Sequence, residues 1–235
     1  MSTWPTCSAN GSTGPRYLHS GAVLRRLHLV RHGEVHNPGG VVYAALSGFH
    51  LSELGTAQAA AAAGHLATSG ATLVITSPLD RAVQTAAPIA ATVGAPLRTD
   101  ERLTEWGLAR RWAGVAWSEL SSRFPGEVEA YMAQPTDLPF ADESIHEVAI
   151  RMEDAISDVE KGGVSTVIVV SHQDPVQALR LRLTGRELDQ LGVDKPGHAG
   201  VVTLHRAAGS WVEVSTWAPP GPTSAFPPSE PMAET

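Results

Sequence analysis

The sequence predicts an α/β protein: three α/β/α layers around a mainly parallel sheet, with a helical and loop insertion over the active side. Three observations predict it. Apolar runs of strand length recur at "RRLHLVR" (25–31), "ATLVITS" (71–77) and "STVIVVS" (165–171). Sequences with helical spacing lie between them, an alternation that calls for parallel strands crossed over by helices. A chain of 235 residues with 43% hydrophobic content can bury one sizeable core.

The elements follow in order. "RRLHLVR" is a strand that stops at Arg31-His32-Gly33. Residues 53–69 are Ala-rich and helical, with Gly64 a weak spot. "ATLVITS" is a buried strand by length and composition. Ser77-Pro78 reads as an N-cap and a first-turn proline for a helix running to about Thr92. Residues 106–143 hold Trp106, Trp112, Trp117, two short helical stretches and the loop "QPTDLPFADE"; this reads as the insertion. Ser144 and Glu147 have the spacing of a capping box. The apolar positions Ile145, Val148, Ala149, Met152, Ala155, Ile156 and Val159 then line one helical face. "STVIVVS" is the central strand. Asp174-Pro175 reads as a cap and first turn leading into "VQALRLRLTG". "AGVVTLHRA" and "SWVEVSTWA" read as a hairpin or two more strands. A leader (1–22) and a Pro-rich tail (217–235) read as flexible ends around one folded domain over 23–216.

Composition narrows the function. The formal net charge is −7 and no basic run is present, which argues against nucleic acid and anionic membrane as partners. No run of 18 apolar residues suggests a membrane span, and the first twenty residues lack the regions of a secretory signal. Cys7 is the single cysteine, which excludes an internal disulfide and fits a reducing cytoplasm. His28, His32 and His36 recur every four residues, but in a strand that spacing separates them by about 13 Å, so no shared metal is expected. No P-loop and no G-x-S-x-G elbow is present.

The strand ends carry the chemistry. Ligands of parallel sheets bind outside the carboxyl ends of the strands. If these strands are neighbours, Arg31, His32, Arg81 and His172 converge on one crevice where two helices begin. Helix N-termini and forked guanidinium groups favour a tetrahedral oxyanion, and a phosphoryl group is the natural guest.

"LVRHGE", "SPLDRAVQTA", "LTE" and "VSHQDP", in that order, resemble the histidine phosphatase superfamily, also called phosphoglycerate-mutase-like, over residues 25–205. The resemblance implies that His32 is a nucleophile forming a phosphohistidine. It implies that Arg31, Arg81 and His172 bind the phosphoryl oxygens, and that Glu105, through "L-x-E", is the general acid with Glu101 its rival. Asn37 is a further phosphate contact, although it stands one position early for the family pattern. Gly48 is either a backbone contact to phosphate or a turn. Gln173 replaces a glycine in "SHQDP" and can offer its backbone N–H; Asp174 reads as a helix cap. Glu143 is a candidate for orienting water or substrate. The tryptophans either form a substrate wall or pack the insertion down, and Arg110 and Arg111 read as solvated. "EWGLARRWAGVAW" lacks the Tyr-Gly pair of phosphoglycerate mutases, which favours a metal-independent phosphatase without a cofactor. A mutase-type phosphotransferase and an inactive phosphate-binding relative are the alternatives. The expected partner is a small phosphorylated substrate or inorganic phosphate; oligomeric state, including a homo-oligomer, is left open.

Overall fold

The computed structural model describes residues 23–221. Six strands form one sheet: β1 (Arg26–Arg31), β2 (Leu73–Thr76), β3 (Leu97–Thr99), β4 (Thr166–Ser171), β5 (Val201–Ala207) and β6 (Ser210–Trp217). Their order is β3-β2-β4-β1-β5-β6. The first four in that order run parallel, while β5 is antiparallel to both β1 and β6. The helices are α1 (Glu53–Leu66), α2 (Asp80–Val93), α3 (Leu108–Arg111), α4 (Leu120–Arg123), α5 (Glu127–Ala133), α6 (Ile145–Lys161) and α7 (Gln173–Leu183).

The strand period of two sorts the core into two layers. Leu27, Leu29, Ile75, Val167 and Val169 face Val148, Met152 and Ile156 of α6 and Val176 and Leu179 of α7. Val30, Val74, Ile168 and Val170 face Ala62 and Leu66 of α1 and Ala86 and Ile89 of α2. Each fully buried aliphatic side chain contributes about 1.5–3 kcal/mol, so the β1–β4–β2 centre is the best-anchored part of the fold. The capping box at Ser144 forms as the sequence predicts: its side chain accepts from the Glu147 N–H and Glu147 reaches back to the Ser144 N–H.

Several boundaries differ from the sequence reading. Strand β3 was not anticipated; it is a three-residue edge strand, too short to show a period. Helix α2 starts at Asp80 with Leu79 as its cap, so Ser77-Pro78 stands outside it. The Ser77 hydroxyl accepts from the Leu79 N–H at 3.3 Å and meets His172 at 2.8 Å, and both contacts hold it off the helix axis. Helix α7 starts one residue before Asp174, with His172 at the cap position, so Asp174 lies in the first turn and is not the cap. Strand β6 extends through Trp217, whose ring stacks on His65 with centroids 4.4 Å apart. The leader and residues 222–235 lie outside the described residues. The insertion carries three short helices, α3 to α5, and is fastened to the core through buried Trp106 and Trp112.

Two glycines set how closely α1 approaches the end of β1. A Cβ on Gly55 would overlap the Glu34 carbonyl, and one on Gly33 would stand 2.6 Å from the Gly55 carbonyl oxygen. Backbone therefore touches backbone there, and the Ser52 N–H donates to the Glu34 carbonyl at 2.9 Å. Gly55→Ala is expected to destabilise the protein by about 1–3 kcal/mol, the usual cost of overpacking. Urea unfolding checks this, and a variant as stable as wild type would refute the close approach.

Candidate active site

The sheet register places the reactive ends side by side. Arg31 pairs with Ser171 and Thr76 with Val170. Beyond the pairing, the His32 N–H donates to the Ser171 carbonyl at 2.9 Å and the Ser77 N–H to the Val170 carbonyl at 3.0 Å. The rings of His32 and His172 consequently stand 5.2 Å apart, edge to face.

His32 is buried, and its Nδ1 lies 2.7 Å from the Gly33 carbonyl oxygen. A carbonyl only accepts, so Nδ1 carries the proton and Nε2 keeps its lone pair. Burial, followed by the neighbouring Arg81, His172 and Arg31, holds the His32 pKa well below the ordinary value. The imidazole is neutral. Gly33 is pinned in turn: its N–H donates to Thr85 Oγ1 at 3.0 Å, and that hydroxyl donates to the Arg81 carbonyl at 2.7 Å.

Three cation-capable groups surround this ring. Arg31 donates to the Pro196 carbonyl at 3.2 Å and to His198 Nε2 at 2.9 Å. His198 must therefore accept, and burial followed by Arg31 lowers its pKa to about 3. Arg81 is buried in the first turn of α2, donates to the Ala44 carbonyl, and lies 4.8 Å from the centre of the Tyr43 ring. His172 is fully buried with Nε2 on the Ser77 hydroxyl, and its pKa is held low by burial, Arg81, Arg151 and Arg31. Arg31 Nε, Arg81 Nε and His172 Nδ1 are all buried without a hydrogen-bond partner in the chain. Two buried guanidinium donors and one imidazole nitrogen thus stand without partners around one neutral histidine, an arrangement that calls for a guest able to engage them.

Glu105 stands across from them. Its Oε2 is 3.9 Å from His172 Nδ1, and its Oε1 accepts from the Trp106 N–H at 2.8 Å. Burial and then the charge of Asp174 raise its pKa to about 7, against the opposing pull of the Trp106 N–H, Arg81 and Arg31. Arg151 of α6 holds the Glu105 segment in place. It donates to the carbonyls of Arg102, Thr104 and Glu105 at 2.5, 2.9 and 3.2 Å, and pairs with Glu143 at 2.6 Å. The Glu143 carboxylate also accepts from the Gly107 N–H at 3.0 Å. Glu143 thus shapes the loop that carries Glu105.

These groups meet at a cavity of about 760 Å³. Arg31, His32, Glu105 and Gln173 line it, while Arg81 and His172 are buried and do not. Gln173 is the first residue of α7. Asn37 also lines the cavity, but its amide donates to the Val41 carbonyl at 2.8 Å and accepts from the Val41 N–H at 3.2 Å. That bracing fixes loop 37–41 beside the cavity in which the expected phosphate contact would be made. Gly48 sits in an exposed bend with φ +79°, its N–H on Asp80 at 3.3 Å. Glu101 is exposed. Arg110 is exposed, and Arg111 pairs with Glu127 at 2.6 Å. Among the described residues no three His, Cys, Asp or Glu side chains are placed to share a metal ion, and no helix is long and apolar enough to cross a membrane.

Sequence reasoning did not find Arg151, His198, Tyr43 or the trio of Asp174, Lys195 and Tyr131. Asp174 accepts from Lys195 at 2.6 Å and from the Tyr131 hydroxyl at 3.0 Å. All of these act through contacts distant in the chain, and no local pattern marks them.

Fold and site together place two arginines and a second histidine around a neutral histidine at the carboxyl ends of parallel strands. Residues 27–218 match the histidine phosphatase superfamily (branch 1), and the chain belongs to that family. It is 43% identical over 164 residues to Rv0525, an uncharacterized protein of Mycobacterium tuberculosis, across 69% of this chain and 80% of that one. It is 32% identical over 169 residues to the M. tuberculosis glucosyl-3-phosphoglycerate phosphatase, across 68% of this chain and 75% of that one. A solved mycobacterial glucosyl-3-phosphoglycerate phosphatase in complex with VO3 superposes with a TM-score of 0.73 at 28% identity, covering 83% of this chain and 100% of that one. The same enzyme in complex with inorganic phosphate gives 0.70 at 27% identity, covering 81% and 96%. The relatives named for an activity are phosphatases, and the family supports a phosphatase here.

The Asp174 charge is one cause of the raised Glu105 pKa. Carboxyl 13C NMR is expected to show Glu105 titrating near pH 7 in the wild type and at lower pH in Asp174→Asn, where that repulsion is gone. An unchanged or higher midpoint in the variant would contradict the assignment.

Proposed function

We propose that the chain is a phosphomonoesterase that hydrolyses a small phosphorylated metabolite through a phosphohistidine on His32, without a metal ion. The observation that carries this reading is the fixed tautomer of His32: Nδ1–H on the Gly33 carbonyl leaves the Nε2 lone pair free amid cationic donors. In the first step Nε2 attacks phosphorus and the ester P–O bond breaks. Glu105, protonated at a pKa near 7, gives its proton to the departing oxygen. In the second step the Glu105 carboxylate takes a proton from water, the resulting hydroxide equivalent attacks phosphorus, and the N–P bond breaks to release phosphate and restore His32.

Arg31 and Arg81 supply the charge that a metal would otherwise provide to the equatorial oxygens, and the neutral His172 ring adds a polar contact beside them. Arg81 is now engaged by the Ala44 carbonyl. A phosphoryl oxygen would take that carbonyl's place, so loop 43–44 yields as substrate seats. Gln173 offers the free N–H of the first turn of α7 to the same anion.

With p-nitrophenyl phosphate in EDTA, wild type is expected to turn over and His32→Ala to lose at least about a thousandfold. For alkyl phosphates, kcat/KM is expected to fall about tenfold per pH unit above pH 7, because the acid form of Glu105 disappears there. Glu105→Gln removes that alkaline arm and lowers kcat/KM by at least about a hundredfold. Full activity in His32→Ala would overturn the mechanism, and a profile flat through pH 7 would remove Glu105 from the acid role.

A further inference from the structure

The wall of the cavity beyond the phosphoryl site is a run of aromatic rings that begins beside Glu105. Trp106 lies 6.0 Å from Tyr131, Tyr131 lies 5.8 Å from Trp112, and Trp112 lies 6.4 Å from Trp117, centroid to centroid. All four line the cavity. Trp117 is 45% exposed and stands where the wall meets solvent.

The polar handles of the inner three rings are turned into the protein. Trp106 Nε1 donates to the Glu143 carbonyl at 2.7 Å, Trp112 Nε1 to the Glu127 carboxylate at 3.0 Å, and the Tyr131 hydroxyl to Asp174 at 3.0 Å. What remains for a ligand is apolar ring surface. Val35, Val42 and Leu54 also line the cavity.

The charges point the same way. Among the described residues that line the cavity, Arg31 is the single Arg or Lys, and it is part of the phosphoryl site. The other charged liners are Glu34, Glu105 and Asp174. Asp174 is offset by Lys195, whose ammonium it holds at 2.6 Å. A carboxylate or second phosphate in the body of a substrate would therefore meet Glu34, Glu105 and ring faces, with the one nearby ammonium already engaged by Asp174 and Tyr131. A volume of about 760 Å³ is far larger than a three-carbon acid fills.

We propose that this site selects phosphate monoesters whose alcohol half is apolar or aromatic and carries no second anionic group, with Trp117 the outer specificity-determining residue. The inference rests on the phosphatase reading above. The ester oxygen lies at Glu105, and the carbon body runs outward along Trp106, Tyr131, Trp112 and Trp117.

The test is kcat/KM for three esters of primary alcohols of similar basicity: 2-phenylethyl phosphate, 2-hydroxyethyl phosphate and 3-phosphoglycerate. p-Nitrophenyl phosphate reports whether the enzyme is a phosphatase at all. The phenylethyl ester is expected to exceed each of the others by about tenfold to a hundredfold, the range that burying one ring supplies. Trp117→Ala should reduce that preference at least about threefold and Trp117→Phe should restore most of it. If p-nitrophenyl phosphate is hydrolysed but the hydroxyethyl ester or 3-phosphoglycerate is preferred, the substrate class is overturned and the phosphatase reading stands. An unchanged preference in Trp117→Ala would overturn the role of that ring. No turnover of any ester would overturn the phosphatase reading and this inference with it.

Discussion

The hydrogen bond from His32 Nδ1 to the Gly33 carbonyl, 2.7 Å long, decides which nitrogen of the ring can react. A neutral imidazole has one protonated and one bare nitrogen, and a carbonyl partner fixes which is which. The bond exists because Gly33 is held from outside: its N–H is on Thr85, and the first turn of α1 presses backbone on backbone at Gly55 and Glu34. The state of the His32 ring thus depends on how two helices meet the end of one strand.

The same arrangement is electrostatically costly. Arg31, Arg81, His32 and His172 are packed together in a region where burial penalises charge, and both histidines respond by staying neutral. The carboxyl groups of Glu105 and Asp174 oppose the cationic excess at Arg31. Donor positions on Arg31, Arg81 and His172 stay unsatisfied all the same. A tetrahedral anion would satisfy them at once, so strain in the resting site becomes affinity for the guest. Natural proteins concentrate such unfavourable placements at functional sites and offset them in the core, here the β1–β4–β2 layer.

Much of the fold was legible in the sequence because the central strands are buried on both faces and read as continuous apolar runs. The capping box at Ser144 and the apolar face of α6 were equally plain, being local patterns. What escaped was tertiary. Strand β3 is only Leu97, Arg98 and Thr99 at an edge. Ser77 has the residue type of a cap, but its hydroxyl is drawn to His172, which shifts the start of α2 to Asp80. Asp174 precedes a proline and looks like a cap, yet Lys195 and Tyr131 claim its carboxylate. At the site, Arg31, His32, Arg81 and His172 were recognisable as residue types at strand and helix ends, and Glu105 only through the "L-x-E" of the family resemblance. Arg151 was not, because its three carbonyl partners lie on a segment 46 to 49 residues away in the chain. Asn37 has the right chemistry for phosphate, and its loop engages it first.

The central claim is that His32 is neutral with its proton on Nδ1 while cations surround it. Imidazole 15N NMR of the resting enzyme between pH 6 and 8 tests it directly. The account predicts a protonated Nδ1 and a bare Nε2 with no titration in that range, since burial and Arg81 hold the pKa well below its ordinary value. An imidazolium carrying both protons, or a neutral ring protonated on Nε2, would contradict it.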